Sequence, residues 1–198
     1  MGPALLLWDF GDTLVDERWM LRAPDGCPGW ATAWSATMTD RAAAWDVGAV
    51  DHVQILEEVA ERTGLPLELV EAHARECCAL LSFNETAWRV ATERRLPQAL
   101  VTVNTDLFAD LVVPVHRLSE VFDVIVMSWS ERTVDKAALC EIALSRLSFH
   151  GERSHALLID NRLDNVEGWR RAGGAGYWFT SDEQFKTDLA QLLPPVPG

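Results

Sequence analysis

Residues 4–14 read Ala4-Leu5-Leu6-Leu7-Trp8-Asp9-Phe10-Gly11-Asp12-Thr13-Leu14, an unbroken apolar run that stops at a carboxylate. A run that is apolar at every position, rather than at alternate ones, has the pattern of a strand buried on both faces. The polar residues Asp9, Gly11, Asp12 and Thr13 then form the turn at its carboxyl end. Three later runs share this character: Ala99 to Val103, Val121 to Met127 and Ala156 to Ile159. Helical patterns lie between and after them, over Glu85 to Arg95, Asp106 to Val113, Lys136 to Leu147 and Asn165 to Ala172, the last stopped by Gly173 and Gly174. This alternation predicts an α/β fold, a Rossmann-like parallel sheet with helices on both faces. Ligands of such sheets sit beyond the carboxyl ends of the strands, which is where Asp9, Thr102 and Asp160 fall. The order of the strands is not legible from periodicity.

Between residues 15 and 83 the alternation breaks. No buried-strand pattern occurs there, and three helical stretches do: Ala31 to Trp45, Asp51 to Arg62 and Pro66 to Leu81. In the second, Val53, Leu56, Val59 and Ala60 share one face, and Gly64-Leu65-Pro66 is a helix stop and restart. The expectation is an α/β core domain of residues 1–14 and 84–198 with a small inserted all-helical cap domain of residues 15–83. Trp19, Trp30, Trp34 and Trp45 lie in or beside the insert. They are expected to supply packing, with one or two lining a substrate pocket as the alternative. The proline-rich tail from Leu193 is expected to be a loose end.

A chain of 198 residues has room for one core and a small insert. With 48% hydrophobic and 24% charged residues it has the balance of an ordinary globular protein. A net charge of -13 repels nucleic-acid phosphates and anionic lipid surfaces, so neither is an expected partner. A small phosphorylated metabolite is compatible with it, because a pocket has its own local field and a divalent cation can reverse that field's sign. Cys27, Cys77, Cys78 and Cys140 have neither Cys-x-x-Cys nor zinc-type spacing and read as reduced thiols. The start carries only a short apolar run with no basic leader, and no stretch is long enough to span a bilayer, so the expected localisation is cytoplasmic. Oligomeric state is not legible. No two histidines have metal-ligand spacing, and none is assigned a role.

A second acidic cluster, Asp160-Asn161-Arg162-Leu163-Asp164-Asn165, follows the Ala156 to Ile159 run. Taken singly, each cluster is accounted for as a turn or a helix cap. Two of them at strand ends, one near each end of an alternating chain, can bring hard oxygen ligands around one Mg²⁺.

On these residues the sequence resembles the haloacid dehalogenase-like (HAD) hydrolase superfamily, in its helical-cap form. The superfamily's first segment, Asp-x-Asp-x-Thr-Leu, is matched by Asp9, Thr13 and Leu14. Its later magnesium-binding acidic pair, followed by an Asn that opens a helix, is matched by Asp160 and Asn165. The resemblance implies a magnesium-dependent phosphatase or phosphotransferase that works on a small phosphate ester through an aspartyl-phosphate intermediate. It makes Asp9 the nucleophile and Thr102 and Lys136 its catalytic partners. The substrate-binding set is Thr13, Thr102, Asn104 and Lys136, and Mg²⁺ falls to Asp9, the Gly11 carbonyl, Asp160 and Asn161. Two positions depart from the pattern. Gly11 stands where the family has its general acid and base, and Asp12, one place later, points elsewhere because neighbouring strand-end residues face different ways. Asn161 replaces the second acid of the later pair and lowers the negative charge there. Two other readings therefore stay open: attack at carbon, as in the family's dehalogenases, which needs no acid at position 11, and a non-catalytic or weakly active binding protein.

Overall fold

The computed structural model describes residues 2–193 of the chain. The proline-rich tail lies almost wholly outside them. The chain begins with β1 (Leu5–Trp8), a 3-10 turn at Glu17–Leu21, and the helices α1 (Trp30–Trp45), α2 (His52–Thr63), α3 (Leu67–Ala79) and α4 (Glu85–Glu93). There follow β2 (Gln98–Thr102), a π-helical turn at Phe108–Val112 continued by α5 (Val113–Val115), α6 (Leu118–Val121), β3 (Val124–Met127) and α7 (Ser128–Glu131). The rest is α8 (Lys136–Arg146), β4 (Ala156–Asp160), α9 (Leu163–Arg171), β5 (Ala175–Trp178) and α10 (Asp182–Leu192).

All strand pairings are parallel and the order is β3-β2-β1-β4-β5. The chain builds outward from β1 in one direction through β2 and β3, then crosses back and builds the other way through β4 and β5. The reversal leaves a crevice at the carboxyl ends of β1 and β4. Register brings the two acidic clusters together there: Trp8 pairs with Ile159, and the Asp9 amide donates to the Ile159 carbonyl at 2.9 Å.

Both faces of the sheet are buried, as the unbroken apolar runs require. Leu6, Trp8, Leu100, Leu157 and Ile159 face a core completed by α4, α10 and the helices of the insert. Their sequence neighbours Leu5, Leu7, Ala99, Val101 and Leu158 face the opposite way, onto Leu139, Cys140, Ala143 and Trp169 of α8 and α9. The four cysteines are free and buried. Among the described residues no helix is long and apolar enough to cross a membrane.

The sequence reading is corrected at several elements. Of the Val121 to Met127 run only Val124–Met127 is strand; Val121 ends α6 and Phe122 caps it, since buried apolar residues carry no mark distinguishing a helix end from a strand start. Helix α9 begins at Leu163, two residues before Asn165, whose side-chain amide turns back to donate to both oxygens of Asp160 (3.2 and 3.0 Å) instead of opening the helix. The insert's helices fall within two residues of the expected stretches. The two chain segments joining them to the sheet run antiparallel side by side, bridged at Val15 and Phe83, with Asp16 donating to the Ser82 carbonyl and Asn84 to that of Leu14.

Helix α10, unanticipated in the sequence, fastens α4. Asn84 at the start of α4 makes no side-chain cap, and the Asp182 carboxylate takes the free amides of Thr86 and Ala87 at 2.8 and 2.9 Å. An anion there also meets the positive pole of the helix. Asp182→Ala should cost about 1–2 kcal/mol, or roughly 2–8 °C in Tm by thermal unfolding. An unchanged Tm would show that this cap contributes nothing.

Candidate active site

Asp9, Thr102 and Asp160 stand side by side at the ends of the three central strands, and all three are buried. Lys136 reaches them from the first residue of α8. Its Nζ donates to Asp9 Oδ1 at 2.6 Å and to the Val101 carbonyl at 2.8 Å, and lies 3.1 Å from Asp160 Oδ2. An ammonium group only 2% exposed therefore joins the two carboxylates that the sequence separates by 151 positions. The helix start is fixed by Asp135, whose carboxylate caps the amides of Ala137 and Ala138 and so sets where Lys136 enters. Val134, two places earlier, is exposed.

Asp160 is held on all sides. The Arg162 amide and the Asn165 side chain donate to it, and Lys136 pairs with it as an ion. Thr13 links the clusters a second time, donating from Oγ1 to Asp9 Oδ2 at 3.4 Å and accepting from the Asn161 amide at 3.0 Å. A polar crevice of about 240 Å³ opens above these groups, lined also by Gly11, Asn161 and Arg162. Asn104 does not reach it. Its amide and carbonyl are tied to the Ser128 hydroxyl, and it lines an adjoining cavity instead.

One Lys serves two acids, and that sets the electrostatics. Burial pushes Asp9 up to about 6; Lys136 pulls it back down and Asp160 pushes it further up. Lys136 itself is raised, because the two carboxylates outweigh a burial that acts against its charge.

The residue that sequence reading missed is Glu17. A Cβ built on Gly11 would lie 2.1 Å from Glu17 Oε1 and 2.4 Å from its Cδ, so the Glu17 carboxyl fills the volume a side chain at position 11 would need. The loop is folded back to do this by Asp12, which adopts a positive φ of 51° and accepts the Glu17 amide at 3.0 Å through Oδ1. Asp12 is thus the turn former, and its carboxyl is spent on the loop. Glu17 is open to solvent on one side, yet its carboxyl sits among protein atoms at the crevice wall. Desolvation, then Asp9, Asp12 and Asp46, push it up to about 7. No spacing rule in the sequence points to it, because its position depends on a loop reversal.

The crevice offers the oxygens of Asp9, Thr102 and Asn161 beside the cationic side chains of Lys136 and Arg162. Among the described residues no three carboxyl, imidazole or thiol groups converge as in an all-protein cage. A magnesium ion does not need one, since one or two carboxylates with waters and substrate oxygens suffice. Asp9, Gly11 and Asn161 line the crevice and can offer such oxygens, while Asp160 lies fully buried behind Asp9, its own oxygens engaged by Lys136, Asn165 and the Arg162 amide.

No family model and no curated protein sequence matches the chain. Solved structures do. A predicted HAD-like family hydrolase from Porphyromonas gingivalis superposes with a TM-score of 0.72 at 13% identity, over 99% of this chain and 100% of that one. A HAD family enzyme from Bacteroides thetaiotaomicron, in complex with magnesium and inorganic phosphate, gives 0.65 at 12% identity, over 91% and 96%. L-2-haloacid dehalogenase from Xanthobacter autotrophicus gives 0.63 at 16% identity, over 97% and 85%. At these identities the likeness speaks to architecture, and it extends across the helical insert as well as the sheet. The chain has the fold of the haloacid dehalogenase-like hydrolases.

Proposed function

We propose that the protein is a magnesium-dependent phosphatase or phosphotransferase acting on a small phosphorylated metabolite, with Asp9 as nucleophile. The observation that carries this reading is the buried Lys136 ammonium between Asp9 and Asp160 at the mouth of the sheet. An Asp9 oxygen attacks phosphorus, the bond to the ester oxygen breaks, and an aspartyl phosphate forms, which divides one hard displacement into two easier ones. Thr102 and Lys136 hold the phosphoryl oxygens as charge develops on them. Bound by Asp9, Asn161 and the Gly11 carbonyl, with Asp160 behind Asp9, magnesium would screen the repulsion between Asp9 and the incoming phosphate.

Glu17 supplies the step that Gly11 leaves open. Protonated, it gives its proton to the departing alcohol; ionised, it takes one from the water that attacks the aspartyl phosphate and frees inorganic phosphate and Asp9. The paired segments at Val15 and Phe83 serve as the joint about which the helical cap closes to exclude water. Attack at carbon is the rival. Gly11 favours it, while the buried Asp160 and the Glu17 carboxyl over Gly11 favour phosphorus.

A screen of small phosphate esters with Mg²⁺ should find turnover that Asp9→Asn lowers by about 10³-fold or more. Turnover indifferent to Asp9→Asn sinks the proposal, and chloride released from a haloacid in magnesium-free buffer transfers it to the rival. Glu17→Gln should slow hydrolysis of alkyl esters by about 10²-fold and of a nitrophenyl ester much less, because a good leaving group needs no proton. Equal losses would remove Glu17 as proton donor.

Glu17 also predicts a pH effect on stability. Its folded pKa of about 7 lies above the unfolded value of 4.5, so the fold favours the protonated form. That contribution is full below the unfolded pKa and is lost as pH rises through about 7. In metal-free buffer the Tm advantage of Glu17→Gln over the parent should therefore grow from pH 5 to pH 8. A constant difference would mean that Glu17 titrates normally.

A further inference from the structure

Beside the polar crevice lies a second cavity of about 360 Å³, between α1 of the cap and the core. The two share Glu17, Asp46 and Val103 in their walls, so they adjoin with these residues at the seam. The volume falls in the range of small-molecule sites. Phe10, Trp34, Trp45 and Phe108 give it aromatic walls, and Met20 and Met38 fill in between. These walls are fixed in place. Trp45 Nε1 donates to Asp106 at 2.6 Å, and Trp34 stacks on Trp30 at 6.2 Å while meeting Trp45 edge-on at 6.3 Å.

The charge of this cavity is one-sided. Its ionisable lining residues are Glu17 and Asp46, both shared with the crevice, and among the described residues no lysine, arginine or histidine joins them on this side. Asp46 is half-buried, and burial pushes its carboxyl up with no cation pulling it back. It follows the last residue of α1, so the negative pole of a 16-residue helix points to the same place. The basic groups lie on the other side of the seam, where Lys136 and Arg162 line the crevice. One end of this adjoining pair suits a phosphoryl group. The other end is apolar and aromatic, with the acids Glu17 and Asp46 at the seam between the two.

We propose that the aromatic cavity receives the alcohol portion of the ester, and that this portion is a compact, ring-sized apolar body carrying a positive charge and no second anionic group. The proposal rests on the phosphatase reading for the identity of the other half of the substrate. Aromatic walls favour a flat apolar body, and the faces of Trp34 and Trp45 together with Asp46 favour a cation on it. A second phosphate or a carboxylate would meet two acids and a helix's negative end with nothing to neutralise it. The ester oxygen then lies at the seam beside Glu17, where its proton is needed.

Three matched alcohols test this by NMR titration of the full chain: benzyl alcohol, its 4-aminomethyl derivative and its 4-carboxy derivative. The amine should bind roughly tenfold tighter than the neutral alcohol, and the carboxylate most weakly. Asp46→Asn should bring the amine to within about threefold of the neutral alcohol. Equal binding of the three, tighter binding of the carboxylate, or no saturable binding of any would overturn the proposal. The phosphate esters of the same alcohols separate it from the reading it rests on. Alcohols that rank as expected while none of their esters turns over with Mg²⁺ uphold the cavity's preference and sink the phosphatase. Esters hydrolysed without preference, from alcohols that bind alike, do the reverse.

Discussion

A buried ammonium group between two carboxylates is the constraint around which the molecule is arranged. Each ion, taken from water alone, would cost several kcal/mol even after the protein relaxes. Lys136, Asp9 and Asp160 offset one another only while β1, β4 and α8 keep their positions to within a fraction of an ångström. The secondary contacts serve that end. Asn165 and the Arg162 amide hold Asp160, Thr13 ties the β1 turn to the Asn161 amide, and Asp135 fixes where α8 starts. One cation for two anions leaves the cluster with a net negative charge.

The second constraint is steric. Gly11 and Glu17 are complementary: one has no side chain, and the other places its carboxyl in the space released. A side chain at position 11 would have to displace the Glu17 carboxyl, the free end of a flexible side chain, from this space. In the proposed mechanism Glu17 is the proton donor, and it borders the cavity proposed to receive the leaving group.

Much of this was legible in the sequence because it depends on short-range periodicity. The unbroken apolar runs gave β1, β2 and β4, helical spacing gave the cap helices to within two residues, and strand-end chemistry singled out Asp9, Thr102 and Asp160. The Gly173-Gly174 stop marked the end of α9, but β5 beyond it is half-exposed and too short for a pattern. Val121 and Phe122 misled because burial looks the same at a helix end and in a strand. Asn104 lines the aromatic cavity rather than the polar crevice, a placement that its position after β2 does not reveal.

What the sequence by itself determined is which residues end up at the sheet's carboxyl edge, since strand boundaries and side-chain alternation are local properties of the chain. Only the tertiary structure decided that β4 lies against β1, that Lys136 enters between their acids, and that the Asp12 turn carries Glu17 over Gly11. These are contacts between distant segments, or between a loop and its own start. Their geometry is set by packing and register, and no periodicity in the chain records either.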